Sequence, residues 1–233
     1  DGESRQFEGV AAMTFRRCEI VYTDLVKGEL HKPLDSLKDQ VIVRSDGAPV
    51  FHLANVCDDI EQGITEILRG DDHVENTYRH ILLFRALGAT PPAYGHFPMI
   101  VNDQGKPFSK RDGDAYVGDF RAKGFLPEAL LNYLTLLGWS PGDDREQMTS
   151  DELVAAFTLE RVNSAAAQMD INKLKNLNGL YIAAIALDDF IEVIQPFVAA
   201  QPWAAAADST PLRTVAELMQ SRCKLFTDVA DWS

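Results

Sequence analysis

The hydrophobic periodicity of this chain changes character once along its length, and that change limits the folds open to it. Up to about residue 101, short β-branched or aromatic runs alternate with stretches of helical spacing; beyond a polar, basic stretch at 106–113 only helical patterning remains. That order describes an α/β layer followed by an all-α region. Residues 10–17, 18–22 and 41–44 read as strands, with a turn at 45–47. A helix over about 52–62 is stopped by Gly63, a strand follows at 64–68, and a second helix runs from about 72 to 87 with Gly88 as its C-cap. Val74, Tyr78, Ile81 and Leu82 fall on one side of that helix, an apolar stripe suited to pack on a sheet. A last strand at 97–101 enters a turn at 102–105.

The helical part carries its own punctuation. Pro127 suits a first helical turn, and residues 129–137 continue as an apolar helix ended by Gly138. Thr149 and Glu152 form a capping-box pattern that opens a helix over 153–157. Asp170 is placed to cap 171–178, closed by Gly179, while Thr210 and Pro211 start a helix reaching about 226. The Ala-rich residues 199–207 read as a loose inter-helix segment, because Pro202, Trp203 and Asp208 interrupt any long helix. No internal repeat is present.

Composition narrows the function. With 233 residues and 46% hydrophobic content there is ample material for a packed core. Lys plus Arg number 22 against 35 Asp plus Glu, a net charge of −13, which argues against general DNA binding and leaves room for a local basic groove. No apolar run reaches the roughly 18 residues of a membrane span, and the opening residues resemble no signal or transit peptide. A soluble, cytoplasmic protein is expected. Cys18, Cys57 and Cys223 lack paired short spacings, so they read as reduced, buried thiols, and no zinc or other metal site is expected. The chain opens at Asp1 without a methionine and ends without a helix-closing signal, which reads as a piece of a longer protein.

Two places concentrate chemistry. In an open α/β layer, ligands bind at the carboxyl ends of strands. There the strand at 64–68 delivers Arg69, Gly70, Asp71, Asp72 and His73. Arg69 can fork onto a carboxylate or phosphate, and a neighbouring carboxylate can accept ribose hydroxyls or hold a magnesium-bound water. The aspartates serve equally well as caps of the next helix. The second place is the loop with Lys106, Ser109, Lys110 and Arg111, which suits charge growing on a phosphate or, just as simply, forms a solvated basic turn. It lacks the glycines of a P-loop. Phe51, His52 and Asn55 begin the other crossover and can share a cleft with Arg69 or serve as a buried aromatic and a cap. Asp58 and Asp59 read as helix surface or local ion-pair partners.

Taken together, Asp24-Leu-Val-Lys-Gly-Glu29, Arg44-Ser-Asp-Gly47, Phe51-His-Leu-Ala-Asn55, Asp58-Asp59, Gly63-Ile-Thr65, Arg69-Gly-Asp-Asp-His73, Ser109-Lys-Arg111, Leu126-Pro-Glu-Ala-Leu-Leu-Asn-Tyr-Leu134, Leu136-Leu-Gly-Trp139 and Leu177-Asn-Gly179 resemble glutamyl-tRNA synthetase, a class I aminoacyl-tRNA synthetase. The likeness covers nearly the whole chain, in the family's order and spacing. It implies that residues 1–56 are the distal part of the connective-peptide insertion and its return, and 57–117 the second half of the Rossmann-like catalytic domain. Residues 118–182 would be a helical stem-contact domain, and 183–233 the start of the helical anticodon-binding domain.

The resemblance also implies roles. Phe51, Asn55 and Arg69 match glutamate-pocket positions, with Phe51 where the family commonly has Tyr; Asp72 and His73 match an ATP-contacting region; Met99 and Ile100 match positions whose backbone lies against adenine. Pro107, Phe108, Ser109, Lys110 and Arg111 resemble the K-M-S-K-S signature, with Lys106 beside the proline that replaces its first lysine. Lys110 would bind the phosphates and stabilise the adenylation transition state, and Ser109 would fix the loop. The implied partners are ATP with Mg2+, L-glutamate and tRNA-Glu, with no membrane or DNA. The H-I-G-H signature of the family's first half does not occur in these residues, so this stretch alone is expected to be inactive while the full-length protein charges tRNA. Two alternatives are a glutamyl-Q tRNA(Asp) synthetase, disfavoured by the helical pattern after Thr149, and a non-catalytic tRNA-binding fragment contacting RNA through groups such as Arg121, Lys123, Lys173 and Lys175.

Overall fold

Strands β1 (Glu3–Phe7) and β2 (Met13–Arg17) pair antiparallel, from Glu3 opposite Arg17 to Phe7 opposite Met13. The computed structural model describes residues 3–7, 13–17, 19–108, 116–205 and 212–232. They divide into two compact units, one of Asp1–Met99 with Val162–Ser164 and one of Ile100–Arg161 with Ala165–Ser233.

The first unit is an α/β layer. β3 (Glu19–Asp24) turns tightly into β4 (Gly28–Pro33), because the Asp24 carboxylate accepts the amides of Val26 and Lys27 and Gly28 adopts a φ of 77°. Helix α1 (Phe51–Glu61) is stopped by Gly63 at a φ of 65°, as its sequence implies. Next come β5 (Glu66–Gly70), helix α2 (Val74–Ala86) and β6 (Ala93–Phe97). The sheet order is β4-β3-β6-β5, with β3, β6 and β5 mutually parallel and β4 antiparallel at the edge. The β5-α2-β6 segment is thus a crossover unit. Tyr78 and Ile81 of α2 pack with Ile20 and Tyr94 of the sheet, flanked by Val74 and Leu82, so the apolar stripe faces the sheet as expected.

Several boundaries differ from the sequence reading for local reasons. Residues 41–44 form no strand, only an isolated bridge from Val43 to Pro49; Val41 stays exposed, with no sheet face to cover it. β5 begins two residues late because the Ile64 amide still bonds back to Asp59 of the helix-ending turn. The expected strand at 97–101 is two strands interrupted at Pro98, which has no N–H to donate.

The second unit contains β7 (Ile100–Val101), α3 (Val117–Ala122), α4 (Pro127–Gly138), α5 (Ser150–Ala156), β8 (Ala167–Gln168), α6 (Ile171–Ala184), α7 (Leu187–Ala199) and α8 (Leu212–Met219). It is helical apart from the short parallel pair of β7 with β8, which the all-α expectation omitted. Both caps read from sequence form: Thr149 and Glu152 make a reciprocal capping box, and Asp170 accepts the amides of Asn172 and Lys173. Gly179 does not close α6. The helix runs through it, and a Cβ there would sit 3.3 Å from the Cys223 carbonyl, so this glycine serves close backbone packing. α8 stops at Met219, well before 226: the chain tightens into a 3-10 turn over Gln220–Arg222, and the amides of Lys224 and Leu225 then turn to the Asp228 carboxylate. One core joins Phe120, Phe125, Leu130, Tyr133, Leu174 and Leu177; another joins Ile182, Phe190, Ile194, Ala216, Cys223, Phe226 and Val229. Each large side chain so buried contributes roughly 1.5–3 kcal/mol. Cys223 is buried as expected, Cys57 is exposed on α1 against expectation, and Cys18 lies outside the described residues.

Candidate active site

Three parallel strands bring their carboxyl ends together, and each carries a polar side chain at its last or next-to-last residue: Asp24 on β3, Arg69 on β5 and His96 on β6. Asp24 and His96 are buried. The Asp24 Oδ1 accepts the backbone N–H of His96 at 3.1 Å as well as those of Val26 and Lys27, and Oδ2 lies 2.5 Å from His96 Nδ1. Burial works against this carboxylate, yet the His96 ring and the three amides outweigh it and hold its pKa below the ordinary value. Burial also holds the His96 pKa low, although Asp24 opposes that shift, so the ring is neutral near pH 7. Its proton belongs on Nδ1, facing the carboxylate, and Nε2 is left as an acceptor.

Arg69 takes up that acceptor. Its Nε donates to His96 Nε2 at 3.2 Å, and one terminal nitrogen donates to Thr77 Oγ1 at 2.6 Å and the His73 carbonyl at 3.3 Å, with the guanidinium 5.4 Å from the Tyr94 ring centre. All three acceptors are neutral. Among the described residues no carboxylate lies within ion-pair distance of Arg69, whose charge persists at any ordinary pH. Asp24, His96 and Thr77 share the order of a nucleophilic triad, with Thr77 Oγ1 3.0 Å from His96 Nε2. Thr77 is fully buried and accepts from Arg69, so its hydroxyl is a strut and not a nucleophile.

The other expected residues of this unit lie on α1, in the turn after β5 and after the end of β6. Phe51 and Asn55 lie one helical turn apart on α1, Phe51 exposed and Asn55 half-buried. The next turn of that stripe carries Asp59. Its Oδ2 is buried with no partner among the described residues, and burial raises its pKa against the pull of Arg69, so Asp59, unlike the exposed Asp58, is not helix surface. Phe51 touches the rings of His52, His73 and His80; His52 Nδ1 and His80 Nε2 are 3.0 Å apart, and burial, with Arg69 adding to it, pushes the His80 pKa down to about 4. Neither aspartate after β5 caps α2. Asp71 pairs with Lys27 at 3.0 Å, while Asp72 is exposed, 3.8 Å from His73 Nε2, and leans over Gly70, where a Cβ would meet its carboxylate oxygen at 2.6 Å. Met99 belongs to this unit, with its sulfur 3.9 Å from that same position.

The remaining expected residues fall in the second unit or beyond description. The Ile100 carbonyl accepts the Phe108 amide, and Val101 bridges to Pro107. The intervening turn is closed by Asn102, whose side chain accepts the amides of Gln104 and Lys106. Ser109, Lys110 and Arg111 lie outside the described residues. Sequence reasoning passed over Asp24 as a site residue, and over Thr77, His80 and His96 altogether. Asp24 stands inside a motif quoted above; His96 had no signal beyond a lone histidine between aromatic residues. Among the described residues no three His, Cys, Asp or Glu side chains converge to hold a metal ion, and no helix is long and apolar enough to cross a membrane.

The layer has parallel strands joined by a helical crossover, with an arginine near its strand ends that makes no ion pair among the described residues. The family model described as "tRNA synthetases class I (E and Q), catalytic domain" matches residues 10–176, and the chain belongs to that family. Among curated relatives it is 43% identical to the glutamate–tRNA ligase of Thermobifida fusca over 91% of this chain and 45% of that protein, and 46% identical to that of a Synechococcus strain over 81% and 38%. A solved structure of a glutamate–tRNA synthetase from Elizabethkingia anophelis superposes with a TM-score of 0.83 at 28% identity, over 93% of this chain and 47% of that one. The chain therefore spans about half the length of the relatives it matches.

Proposed function

We propose that this chain is part of an enzyme that joins L-glutamate to tRNA-Glu through a glutamyl-adenylate, and that Arg69 binds the amino acid. The observation that carries the reading is the charge state of Arg69. A permanent cation held at a parallel strand's carboxyl end by three neutral acceptors, with Asp59 and Asp72 acting on it only through space, keeps its hydrogen-bonding edge for an anionic ligand, and a planar guanidinium suits a carboxylate. Phe51 and Asn55 on the facing stripe of α1 would line the same pocket, and Phe51 offers a ring face where a tyrosine hydroxyl would offer a hydrogen bond. Asp72 and His73, exposed or half-exposed beside it, would meet the nucleotide, with Met99 and Ile100 alongside the base.

In the reaction, a glutamate α-carboxylate oxygen attacks the α-phosphorus of ATP, the bond to the bridging oxygen breaks, and pyrophosphate leaves. A terminal ribose hydroxyl of the tRNA then attacks the activated carbonyl, loses its proton and releases AMP. Neither step needs a protein nucleophile, so the residues act by position and charge. Lys110, with Ser109 shaping the loop from Pro107 to Arg111, would meet the negative charge that grows on the departing phosphates. Asp72 would be the carboxylate to hold a magnesium ion that accompanies the triphosphate, and the ion would supply charge neutralisation on the phosphates. Residues 1–56 would be the distal part of the connective-peptide insertion and its return, and 57–117 the second half of the catalytic domain; 118–182 would brace the tRNA stem and 183–233 begin the anticodon-binding part. The full-length enzyme would work in the cytoplasm, and these 233 residues alone, without H-I-G-H, would not charge tRNA.

The test is Lys110→Ala in the full-length protein. It should slow glutamyl-adenylate formation by about 10²–10³-fold while changing the glutamate Kd by less than about threefold, because the lysine's partner charge develops in the transition state. An unchanged single-turnover rate removes Lys110 from the mechanism.

A further inference from the structure

We propose that Asp24 and His96 are positioning residues for Arg69: the carboxylate fixes which imidazole nitrogen bears the proton, and the other nitrogen fixes the guanidinium. The inference rests on the reading of Arg69 as a glutamate ligand and adds to it the device that orients that ligand.

The geometry makes the arrangement directional. Oδ1 of Asp24 is occupied by three backbone amides, at 3.0 Å from Val26, 2.9 Å from Lys27 and 3.1 Å from His96. Only Oδ2 is left for the ring, and an oxygen bearing no proton can only accept, so His96 Nδ1 must donate. Nε2 then has one lone pair, faced by the Arg69 Nε–H at 3.2 Å and the Thr77 hydroxyl at 3.0 Å; the hydroxyl can give its proton to the His73 carbonyl instead, while the Arg69 Nε–H has no other acceptor among the described residues and takes the lone pair. The guanidinium is planar, so fixing Nε and one terminal nitrogen, the latter on Thr77, fixes the plane and the direction of the free terminal nitrogen. That nitrogen has no hydrogen bond among the described residues. Each strand supplies one member, so the sheet's register sets the chain from carboxylate to cation: His96 lies opposite Arg69 across β6 and β5, and β3 ends at Asp24 beside Tyr94.

Asp24→Asn is a nearly isosteric way to reverse the chain. The three amides require an oxygen at the Oδ1 position, so the new NH2 group must take the Oδ2 position and donate to Nδ1. The ring proton moves to Nε2, and two donors then face each other where Arg69 meets His96. In the full-length protein charging tRNA-Glu, this variant should raise the KM for glutamate about tenfold, the cost of one lost hydrogen bond to a charged group, and leave the KM values for ATP and tRNA within about twofold. Arg69→Lys, measured in parallel, should also raise the glutamate KM.

The outcomes separate. If Arg69→Lys raises the glutamate KM and Asp24→Asn does not, the positioning role is overturned and the pocket reading stands. If neither moves it, the pocket reading falls and takes this proposal with it. If Asp24→Asn raises all three KM values together and lowers Tm, the pair merely supports the fold and the proposal is overturned. Should Asp24→Asn not accumulate as folded protein, two amides at position 96 decide. His96→Asn reproduces the Nδ1 side and loses the acceptor for Arg69; His96→Gln reproduces the Nε2 side and keeps it. The glutamate KM should rise about tenfold in the first and stay within about threefold of the parent in the second, and equal effects overturn the proposal.

Discussion

The α/β unit and the helical unit both bury polar side chains, yet they bury different chemistry. In the helical unit the fully buried polar groups include two amides. Asn178 accepts the Leu126 amide and donates to the Lys224 carbonyl, and Asn132 accepts the Met148 amide and the Tyr181 hydroxyl. These tie one backbone segment to another and do not titrate. In the α/β unit the buried set is Asp24, His80, His96 and Thr77, with Arg69 half-buried against them. There the hydrogen bonds hold only in one pattern of protonation. Cohesion built on amides holds across pH, whereas an arginine hydrogen-bonded to a buried imidazole keeps its partners over a narrower pH range.

Three experiments would break or sharpen that contrast. The largest effect should come from Phe190→Ala, which empties a fully buried ring position on α7 against Phe226 and Trp232 and should cost the helical unit about 3–5 kcal/mol. Hydrogen exchange should show the loss in peptides from α6 and α7; a loss confined to α2 and β6 would contradict the packing described.

The second is acidification. His80 has a folded pKa of about 4 against 6.5 in the unfolded chain, so the unfolded chain binds more protons between those values and stability falls as pH falls through that window. His96 shifts in the same direction, and the lowered Asp24 extends the loss below 3.8. Protection in α2 and β6, corrected for intrinsic exchange, should drop by about 3 kcal/mol from His80 alone between pH 6.5 and 4, while α6 should change far less. Equal losses in both units would erase the distinction. The smallest effect belongs to Thr149→Ala, which removes the capping box of α5 and should cost about 1 kcal/mol, restored by Thr149→Ser; it should be seen as faster exchange at Glu152 and Leu153 only.

Local signals were legible and non-local ones were not. The stop of α1 at Gly63, the stripe on α2 and the caps at Thr149 and Asp170 could be read because each depends on residues within a turn or two of one another. β6 was hidden: Ala93-Tyr-Gly-His-Phe97 has neither alternation nor a β-branched run, and its strand identity comes from lying between β3 and β5. Gly95 there would bring a Cβ within 2.7 Å of Leu68, a constraint visible only across the sheet. Gly179 misled for the same reason, since a glycine that ends a helix and one that admits a neighbouring backbone look alike in sequence. Within the site, Arg69 was legible as a charged residue after a strand. The residues that aim it were not, because Asp24 and His96 are 72 positions apart and meet only through the strand order.

Gly70 decides where the Asp72 carboxylate can sit. Because the last residue of β5 has no side chain, the carboxylate two positions later can fold back across the main chain, in space that even a methyl group would claim. Enlarging residue 70 would therefore act at a distance of two residues, displacing the Asp72 carboxylate from the place it holds over the main chain.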